Sequence, residues 1–344
     1  MGFIKGSHSM HDCSKEIVKF FENKVRLPQS EKEKLRGNRK ANQDRLKKRL
    51  KDQEKPDPVG FVKQGSYAMH TMIQQPDNDY DIDDGVIFLK EDLKGKNGGD
   101  KTALAARQMV CDVLQDLRFK RAPEVRNNCV RVYYDAGHHV DIPVYREHPA
   151  GSQDYELASS DWKVSDPSGV TKWFKQAVID KSPDSTNGRQ MRRIVCLLKK
   201  FARSRSSWNM PSGLVLSKLS DEEYSSDDDR DDVSLYETMR LMHERLENDL
   251  RVRHPVVTDE WLTNGDDEPK THQLRDKLEE ALGNLQVLFD DDCTRKEALK
   301  AWKKVFNDDY FDELISEGNG AKAFGILSTG PSIPVDKKGG GRFG

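Results

Sequence analysis

Three aspartates on two predicted strands constrain the fold of this chain more than any other feature. Asp81 and Asp83 flank Ile82 at the start of an apolar run, and Asp141 ends a later alternating run. Side chains at positions i and i+2 of a strand point to one face, so the first two carboxylates lie together and Ile82 lies opposite. Carboxylates held this close repel one another unless a cation lies between them. The pattern predicts a site for a hard divalent cation such as Mg²⁺, as phosphoryl or nucleotidyl transfer requires.

The neighbouring acid, Asp84, is predicted to stay outside this site. It falls on the face opposite Asp81 and Asp83, where we expect it to accept a hydrogen bond from the backbone near Gly85. The two histidines before the third aspartate, at 138 and 139, are interpreted as hairpin residues and not as ligands.

A Gly-Ser pair precedes the first aspartate strand. Gly65 allows the backbone to approach a phosphate closely, and the Ser66 hydroxyl can donate to it. Taken alone, such a pair forms a turn more often than a phosphate site. The aspartates that follow are the reason to interpret it as a phosphate site.

The bulk composition excludes several classes of protein. A net charge of −2 gives no global electrostatic case for a nucleic-acid binder. The five cysteines include no C-x-x-C pair, which argues against a zinc ribbon or a disulfide framework. No apolar run approaches the length of a membrane span, so we expect a reduced, cytoplasmic protein.

The order of predicted elements indicates an α+β fold. A long charged helix ends near residue 53, and a strand–helix–strand–hairpin order follows, which suggests a small mixed sheet with helices. From residue 166 the pattern is mostly helical, with predicted helices at 168–180, 186–205, 212–219, 234–250 and 271–290. The acidic segment 220–232 lacks apolar anchors and is predicted to be a solvated loop, with a metal-collecting or partner surface as the alternative.

Several segments, taken together, resemble one family of enzymes. Gly-Ser, Asp-x-Asp and a third strand Asp form the signature of the nucleotidyltransferase superfamily related to DNA polymerase beta. The residues that flank these motifs resemble those of the cGAS/DncV-like nucleotidyltransferases (CD-NTases) of bacterial CBASS antiphage systems. The segments that carry this resemblance are 64–71 (QGSYAMHT), 80–85 (YDIDDG), 140–145 (VDIPVY), 165–174 (SDPSGVTKWF), 192–201 (RRIVCLLKKF) and 211–213 (PSG).

The resemblance implies roles for individual residues. Asp81, Asp83 and Asp141 would be catalytic and would hold two Mg²⁺ ions, for which Mn²⁺ can substitute. The nucleotide-binding residues would be Gln64, Gly65, Ser66, Lys199 and Ser212. Met69 stands where the family has an aromatic residue near a base, so base preference does not carry over.

The resemblance also implies the activity. It predicts synthesis of a cyclic di- or trinucleotide from nucleoside triphosphates, ATP or GTP or both, with release of pyrophosphate. The product would act on a downstream effector in antiphage defence. The alternative is a template-free polymerase or a nucleotidyltransferase acting on a tRNA or a small molecule. The sequence lacks the His/Cys cluster of a DNA-gripping zinc ribbon, so DNA binding is not expected.

The same resemblance divides the chain. Residues 14–165 would form the nucleotidyltransferase lobe and 166–326 the helical lobe of a bilobed enzyme. Residues 1–13 are interpreted as an extension that could derive from an expression tag. The Gly-rich tail 327–344 is predicted to be flexible, and Gly344 would be a conjugation point for an E1–E2-like partner.

Overall fold

A computed structural model describes residues 9–76, 80–95, 97–117, 119–135 and 137–317. Within them, the strands are β1 (Gly60–Gln64), β2 (Asp81–Leu89), β3 (Glu124–Val125), β4 (Val130–Tyr133), β5 (His139–Ile142), β6 (Val144–Glu147), β7 (Tyr155–Ala158) and β8 (Trp162–Val164). The helices are α1 (Ser14–Phe20), α2 (Gln29–Asp52), α3 (Gly65–Met69), α4 (Ala103–Leu114), α5 (Gly169–Lys181), α6 (Gln190–Ala202), α7 (Gly213–Glu223), α8 (Asp231–Asn248), α9 (Pro269–Leu285) and α10 (Arg295–Phe306). A π-helical turn, Phe21–Val25, follows α1, and a 3₁₀ turn, Gln286–Phe289, follows α9.

The sheet is mixed, and β2 is its central strand. Antiparallel β1 pairs with one side of β2, and β5 and β6 pair with the other side in parallel. The register is the same for β5 and β6, so they are two halves of one strand interrupted at Pro143. Proline lacks the N–H that a central strand would donate, which explains the interruption. The predicted α+β fold with a mixed sheet is confirmed.

Helices α2 and α4 cover one face of this sheet. Leu35 and Leu46 of α2 are fully buried against Ile82 and Phe88 of β2 and against Val110 of α4. Each such side chain contributes about 1.5–3 kcal/mol by leaving water. The opposite face of β2 therefore carries Asp81 and Asp83 away from this core, as the strand periodicity predicts.

Helices α6 to α10 share a second core with the first helix of the chain. Leu274, Leu278 and Leu282 of α9 are fully buried there, at the spacing of one helix face. Ile17 and Phe20 of α1 lie in the same core. The nucleotidyltransferase lobe was expected to begin at residue 14, whereas the structure packs the residues from Met10 to Val25 with the helical lobe.

The acidic segment 220–232 differs from the predicted solvated loop. Helix α7 continues to Glu223, and α8 begins at Asp231. Asp231 and Asp232 are buried because Arg193 and Arg230 pair with their carboxylates at 2.7 and 2.8 Å. The composition of the segment does not reveal Arg193, the distant partner of Asp231.

The short strands β7 and β8 and helix α10 also escaped the sequence interpretation. The predicted flexible tail and the Gly344 conjugation point lie outside the described residues. No helix in the described part of the chain combines the length and the apolarity needed to cross a membrane.

Candidate active site

Parallel pairing of β2 with β5 brings the three aspartates together. Asp83 lies directly opposite Asp141, and Asp81 lies opposite His139. Asp141 is buried, whereas the Asp81 side chain is 51% exposed at the open end of the pair. The carboxylates therefore run from the protein interior towards solvent along one face of the sheet.

Asp83 sits in an unfavourable electrostatic environment. Burial and the neighbouring carboxylates of Asp81 and Asp141 raise the pKa of Asp83 from 3.8 to about 7. A carboxyl group whose charge is disfavoured by burial and by like charges gains most from a cation placed beside it.

Two cationic or polar partners that the sequence interpretation missed complete this cluster. Arg131 of β4 donates from Nε and Nη2 to the two carboxylate oxygens of Asp141, each at 2.6 Å. Its Nη2 is also 3.8 Å from Asp81, and Nε2 of His139 is 3.2 Å from the Asp81 carboxylate. The hydrogen bonds to Asp141 raise the pKa of Arg131. His139 is two residues before Asp141, so the strand periodicity used for Asp81 and Asp83 also places it on this face.

The donor set fits a divalent cation. Ligand atoms of Asp81, His139 and Asp141 lie within 4.8 Å of one another, and Asp83 is next to Asp141 in the sheet. Three carboxylates face one guanidinium, so the cluster retains excess negative charge. Carboxylate oxygens are the ligands that Mg²⁺ prefers.

The Gly-Ser turn is packed against the second aspartate. Gly65 begins α3 with a φ of +61°, and a Cβ atom at this position would lie 2.0 Å from Oδ2 of Asp83. Only glycine allows both the left-handed backbone and this approach. At the other end of α3, Met69 packs with Phe174 and Val195 of the helical lobe, which fixes the turn between the lobes.

Lys199 points into the boundary between the lobes. Its side chain is buried, and Nζ donates to Oγ1 and to the backbone oxygen of Thr71, at 2.7 and 3.3 Å. Burial lowers the pKa of Lys199 from 10.5 to about 8. The next residue, Lys200, instead pairs with Asp308 at 2.9 Å. Ser212 is the N-cap of α7, where its hydroxyl accepts a hydrogen bond from the Val215 N–H.

A cavity of about 360 Å³ lies between the lobes at this point. Six of the predicted site residues line it, namely Gly65, Ser66, Asp81, Asp83, Lys199 and Ser212. Adjoining cavities of about 680 and 380 Å³ share residues with it, so the space continues along the lobe boundary. We call these three connected spaces the cleft.

Two other sequence expectations have distinct outcomes. The Gln64 amide donates to the Tyr145 hydroxyl and to the Pro167 oxygen, both at 2.8 Å, and so links β1 to the start of the helical lobe. Asp84 lies on the opposite face, as predicted, but its expected backbone hydrogen bond is wrong. Its carboxylate accepts hydrogen bonds from Gln43 and Arg39 of α2, at 2.7 and 3.2 Å.

Comparison with known proteins agrees with this arrangement. Residues 59–145 match the family model described as "Cyclic GMP-AMP synthase DncV-like, nucleotidyltransferase domain". That segment contains the Gly-Ser turn and all three aspartates.

Solved structures of DncV share the fold over most of the chain. One is Vibrio cholerae DncV, a cyclic AMP-GMP synthase, in complex with the linear intermediate 5′-pppA(3′,5′)pG. It is 19% identical, with a TM-score of 0.68 over 87% of this chain and 97% of that one. Another is Escherichia coli DncV bound to 3′-deoxy GTP, 18% identical, with a TM-score of 0.66 over 83% and 92% of the two chains. Residues 59–145 therefore match a DncV-like nucleotidyltransferase domain, and the chain shares the bilobed α+β fold of these solved structures.

Proposed function

We propose that this protein is a cyclic-oligonucleotide synthase that joins nucleoside triphosphates and releases pyrophosphate. The observation that carries the proposal is one cleft lined by Asp81, Asp83, the Gly-Ser turn and a buried lysine without a carboxylate partner, with Asp141 paired to Asp83 in the sheet behind it. Substrates with a triphosphate need a cation at the phosphates and donors around them.

Each group in the cleft has a distinct task in this proposal. Asp81, Asp83 and Asp141 would hold two Mg²⁺ ions, which when bound neutralise the triphosphate and acidify the attacking ribose hydroxyl. Ser66 donates its hydroxyl to a phosphate oxygen. Lys199 supplies a positive charge to the same phosphates, where burial strengthens the interaction. These residues position and stabilise charge, and none needs to form a covalent bond with the substrate.

Cyclisation requires that the same cleft accept a linear product. The Vibrio cholerae relative is a synthase solved with a linear dinucleotide intermediate, and we extend that two-step use of one site to this chain. The connected cavities offer room for more than one nucleotide along the lobe boundary. We further propose that the product, a di- or trinucleotide from ATP or GTP or both, signals to an effector in the cytoplasm in antiphage defence.

The test is a product analysis with all four labelled nucleoside triphosphates. The protein is incubated with Mg²⁺ or Mn²⁺, the mixture is treated with phosphatase, and the product is identified by mass spectrometry. We expect a phosphatase-resistant cyclic product. Extension of an added tRNA or small-molecule acceptor without any cyclic product would instead establish the alternative nucleotidyltransferase activity.

A pair of matched variants locates the activity. Asp81→Asn combined with Asp83→Asn removes two carboxylates from β2 and is expected to abolish product formation. Asp92→Asn changes an exposed carboxylate just beyond the other end of β2 and should leave activity unchanged. Product formation by the double variant would place the metal site elsewhere.

A further inference from the structure

The ammonium group of Lys199 is held where the two lobes meet. Nζ donates to Oγ1 and to the backbone oxygen of Thr71, at 2.7 and 3.3 Å. Thr71 belongs to the segment between α3 and β2 of the nucleotidyltransferase lobe, whereas Lys199 lies on α6 of the helical lobe. The same side chain also passes the backbone of Gly213, the first residue of α7. We call the position that Thr71 and Gly213 leave for the ammonium group the lysine slot.

Gly213 leaves room for this ammonium group. A Cβ atom at position 213 would lie 3.0 Å from Cε and 3.2 Å from Nζ of Lys199. Contacts this short force one of the two groups to move, and the end of a lysine side chain moves easily because its stem is flexible. Helix propensity favours alanine over glycine. The glycine at the start of α7 therefore gives up some helical stability and keeps space for the lysine.

Thr71 is fixed to the Gly-Ser turn. It is buried, and its N–H donates to the backbone oxygen of Ser66 at 2.9 Å. His70, just before it, has a φ of +57°, a left-handed conformation that is unfavourable for a residue other than glycine. Such strain persists where the surrounding structure requires it. The residue that holds Lys199 is therefore held in turn by the segment that carries Ser66.

The lysine slot leaves one donor of the ammonium group for a ligand. An ammonium group carries three N–H donors, and Thr71 accepts from two of them. Within the described part of the chain the third donor has no acceptor, although Lys199 is buried. Lys199 and Thr71 both line the cavity of about 360 Å³ that Ser66 and Asp81 also line. An unpaired buried donor is unfavourable, so it gains from an acceptor oxygen of a ligand in the cleft.

We propose that Thr71 and Gly213 are positioning residues that direct the third N–H of Lys199 to a phosphate oxygen of the nucleotide. Thr71 fixes the ammonium group by two hydrogen bonds, and Gly213 keeps a side chain out of its place. Because Thr71 and Lys199 belong to different lobes, this phosphate contact is positioned only while the lobes are packed together. The proposal rests on the function proposed above, in which Lys199 binds the triphosphate.

The test is a calorimetric titration of the full-length protein with inorganic tripolyphosphate in the presence of Mg²⁺. This probe has the phosphate chain without a base or a ribose. Thr71→Val removes the hydroxyl acceptor and keeps the shape of the side chain, whereas Thr71→Ser retains the acceptor. Gly213→Ala adds a Cβ atom beside Lys199. Gly283→Ala, where the new Cβ atom meets open space on an exposed part of α9, is its control.

We expect Thr71→Val to weaken tripolyphosphate binding by about 3- to 10-fold, because the released lysine side chain must then be ordered on binding. Thr71→Ser should bind like the wild type. Gly213→Ala should weaken binding by at least as much as Thr71→Val, because its Cβ atom displaces the ammonium group. It should not lower the melting temperature, since only the end of a flexible side chain moves. Gly283→Ala should leave binding unchanged.

The same substitutions in a Lys199→Met protein separate positioning from a general effect on the fold. If both residues act through the ammonium group, Thr71→Val and Gly213→Ala should cause no further loss of affinity once Lys199 is replaced. Thermal melting verifies that every variant is folded.

The proposal is overturned if the wild type does not bind tripolyphosphate or if Thr71→Val and Gly213→Ala bind it as tightly as the wild type. It is also overturned if their effects persist at full size in the Lys199→Met protein. The expected binding pattern without any cyclic product from nucleoside triphosphates would refute the proposed synthase activity and support the positioning roles. The two proposals can therefore fail separately.

Discussion

Replacing Lys199 with methionine tests whether its buried charge serves a ligand or the fold. Methionine has a similar length but no charge, so the substitution keeps most of the packing at the lobe boundary. Lys199 has a hydroxyl and a backbone oxygen of Thr71 as partners and no carboxylate. In the free protein its charge therefore destabilises the folded state, and a bound phosphate would offset this destabilisation.

The size of this destabilisation follows from the pKa of Lys199, which is about 8 in the folded protein, compared with an ordinary value of 10.5. At about 1.36 kcal/mol per pH unit, the charged lysine destabilises the fold by an upper bound of about 3.4 kcal/mol. Below pH 8 the lysine is charged in both the folded and unfolded states, so the full destabilisation is present. It fades as the pH rises from about 8 to 10.5 and is absent above that range.

We expect Lys199→Met to raise the free energy of unfolding by about 1–3 kcal/mol at pH 7, because the loss of the Thr71 hydrogen bond offsets part of the gain. The gain should shrink at pH 10. Urea denaturation at both pH values measures this difference. Triphosphate affinity, measured by calorimetry with Mg²⁺, should fall about 10-fold or more.

A second lysine provides the control for these measurements. Lys218→Met removes a lysine of α7 that pairs with Asp221 and Glu222 at 3.6 and 3.4 Å. It should change stability by at most about 1 kcal/mol and leave nucleotide affinity unchanged. A Lys199→Met protein that is less stable than the wild type at pH 7, or that binds triphosphate equally well, would refute the reasoning.

Three further predictions concern the aspartate cluster. Gly65→Ala should destabilise the fold by about 1–2 kcal/mol and abolish product formation, because the new Cβ atom displaces Asp83. The control is Gly37→Ala, in open space on α2, which should raise the melting temperature of the protein and leave its activity unchanged. Asp83→Asn should stabilise the metal-free protein by about 2–4 kcal/mol at pH 8 but not at pH 4, because the raised pKa of Asp83 makes the stability of the wild type fall as the pH rises from about 4 to 7. Urea denaturation in EDTA measures this difference. An equal effect at both pH values would contradict the prediction. Arg131→Gln should destabilise the metal-free protein but tighten Mg²⁺ binding, since the guanidinium and the cation compete for Asp141. A calorimetric titration measures the Mg²⁺ affinity. Weaker Mg²⁺ binding would show that Arg131 supports the metal site instead.

The sequence predicts those parts of the site that depend on local periodicity. The two-residue repeat of a strand places Asp81 and Asp83 on one face and Asp84 on the other, and the structure agrees. The same repeat also applies to His139, which the sequence analysis wrongly set aside as a hairpin residue although it lies beside the Asp81 and Asp141 carboxylates. Helix spacing likewise predicts the buried face of α9.

The parts that escape prediction depend on pairing between distant segments. Asp231 looks solvated in the sequence because Arg193, its partner, is 38 residues away in the chain. The start of the chain looks like the beginning of the first lobe, but Phe20 of α1 packs with Phe306 of α10. Neither partner can be read from the composition of the segment itself.

Arg131 shows how such a distant partner changes the chemistry of the site. The sequence alone does not distinguish Arg131 from other arginines on predicted strands. The pairing register of β4 and β5 places it directly opposite Asp141. A bidentate guanidinium compensates the innermost carboxylate when no metal is bound, so the three acids can fold next to one another. It compensates Asp83 only in part, because among the described residues the guanidinium contacts Asp141 and approaches Asp81 but forms no ion pair with Asp83, whose pKa stays raised. The carboxylate with the raised pKa is therefore the one that gains most when a divalent cation binds, and Asp83 should contribute more to Mg²⁺ affinity than Asp141 does.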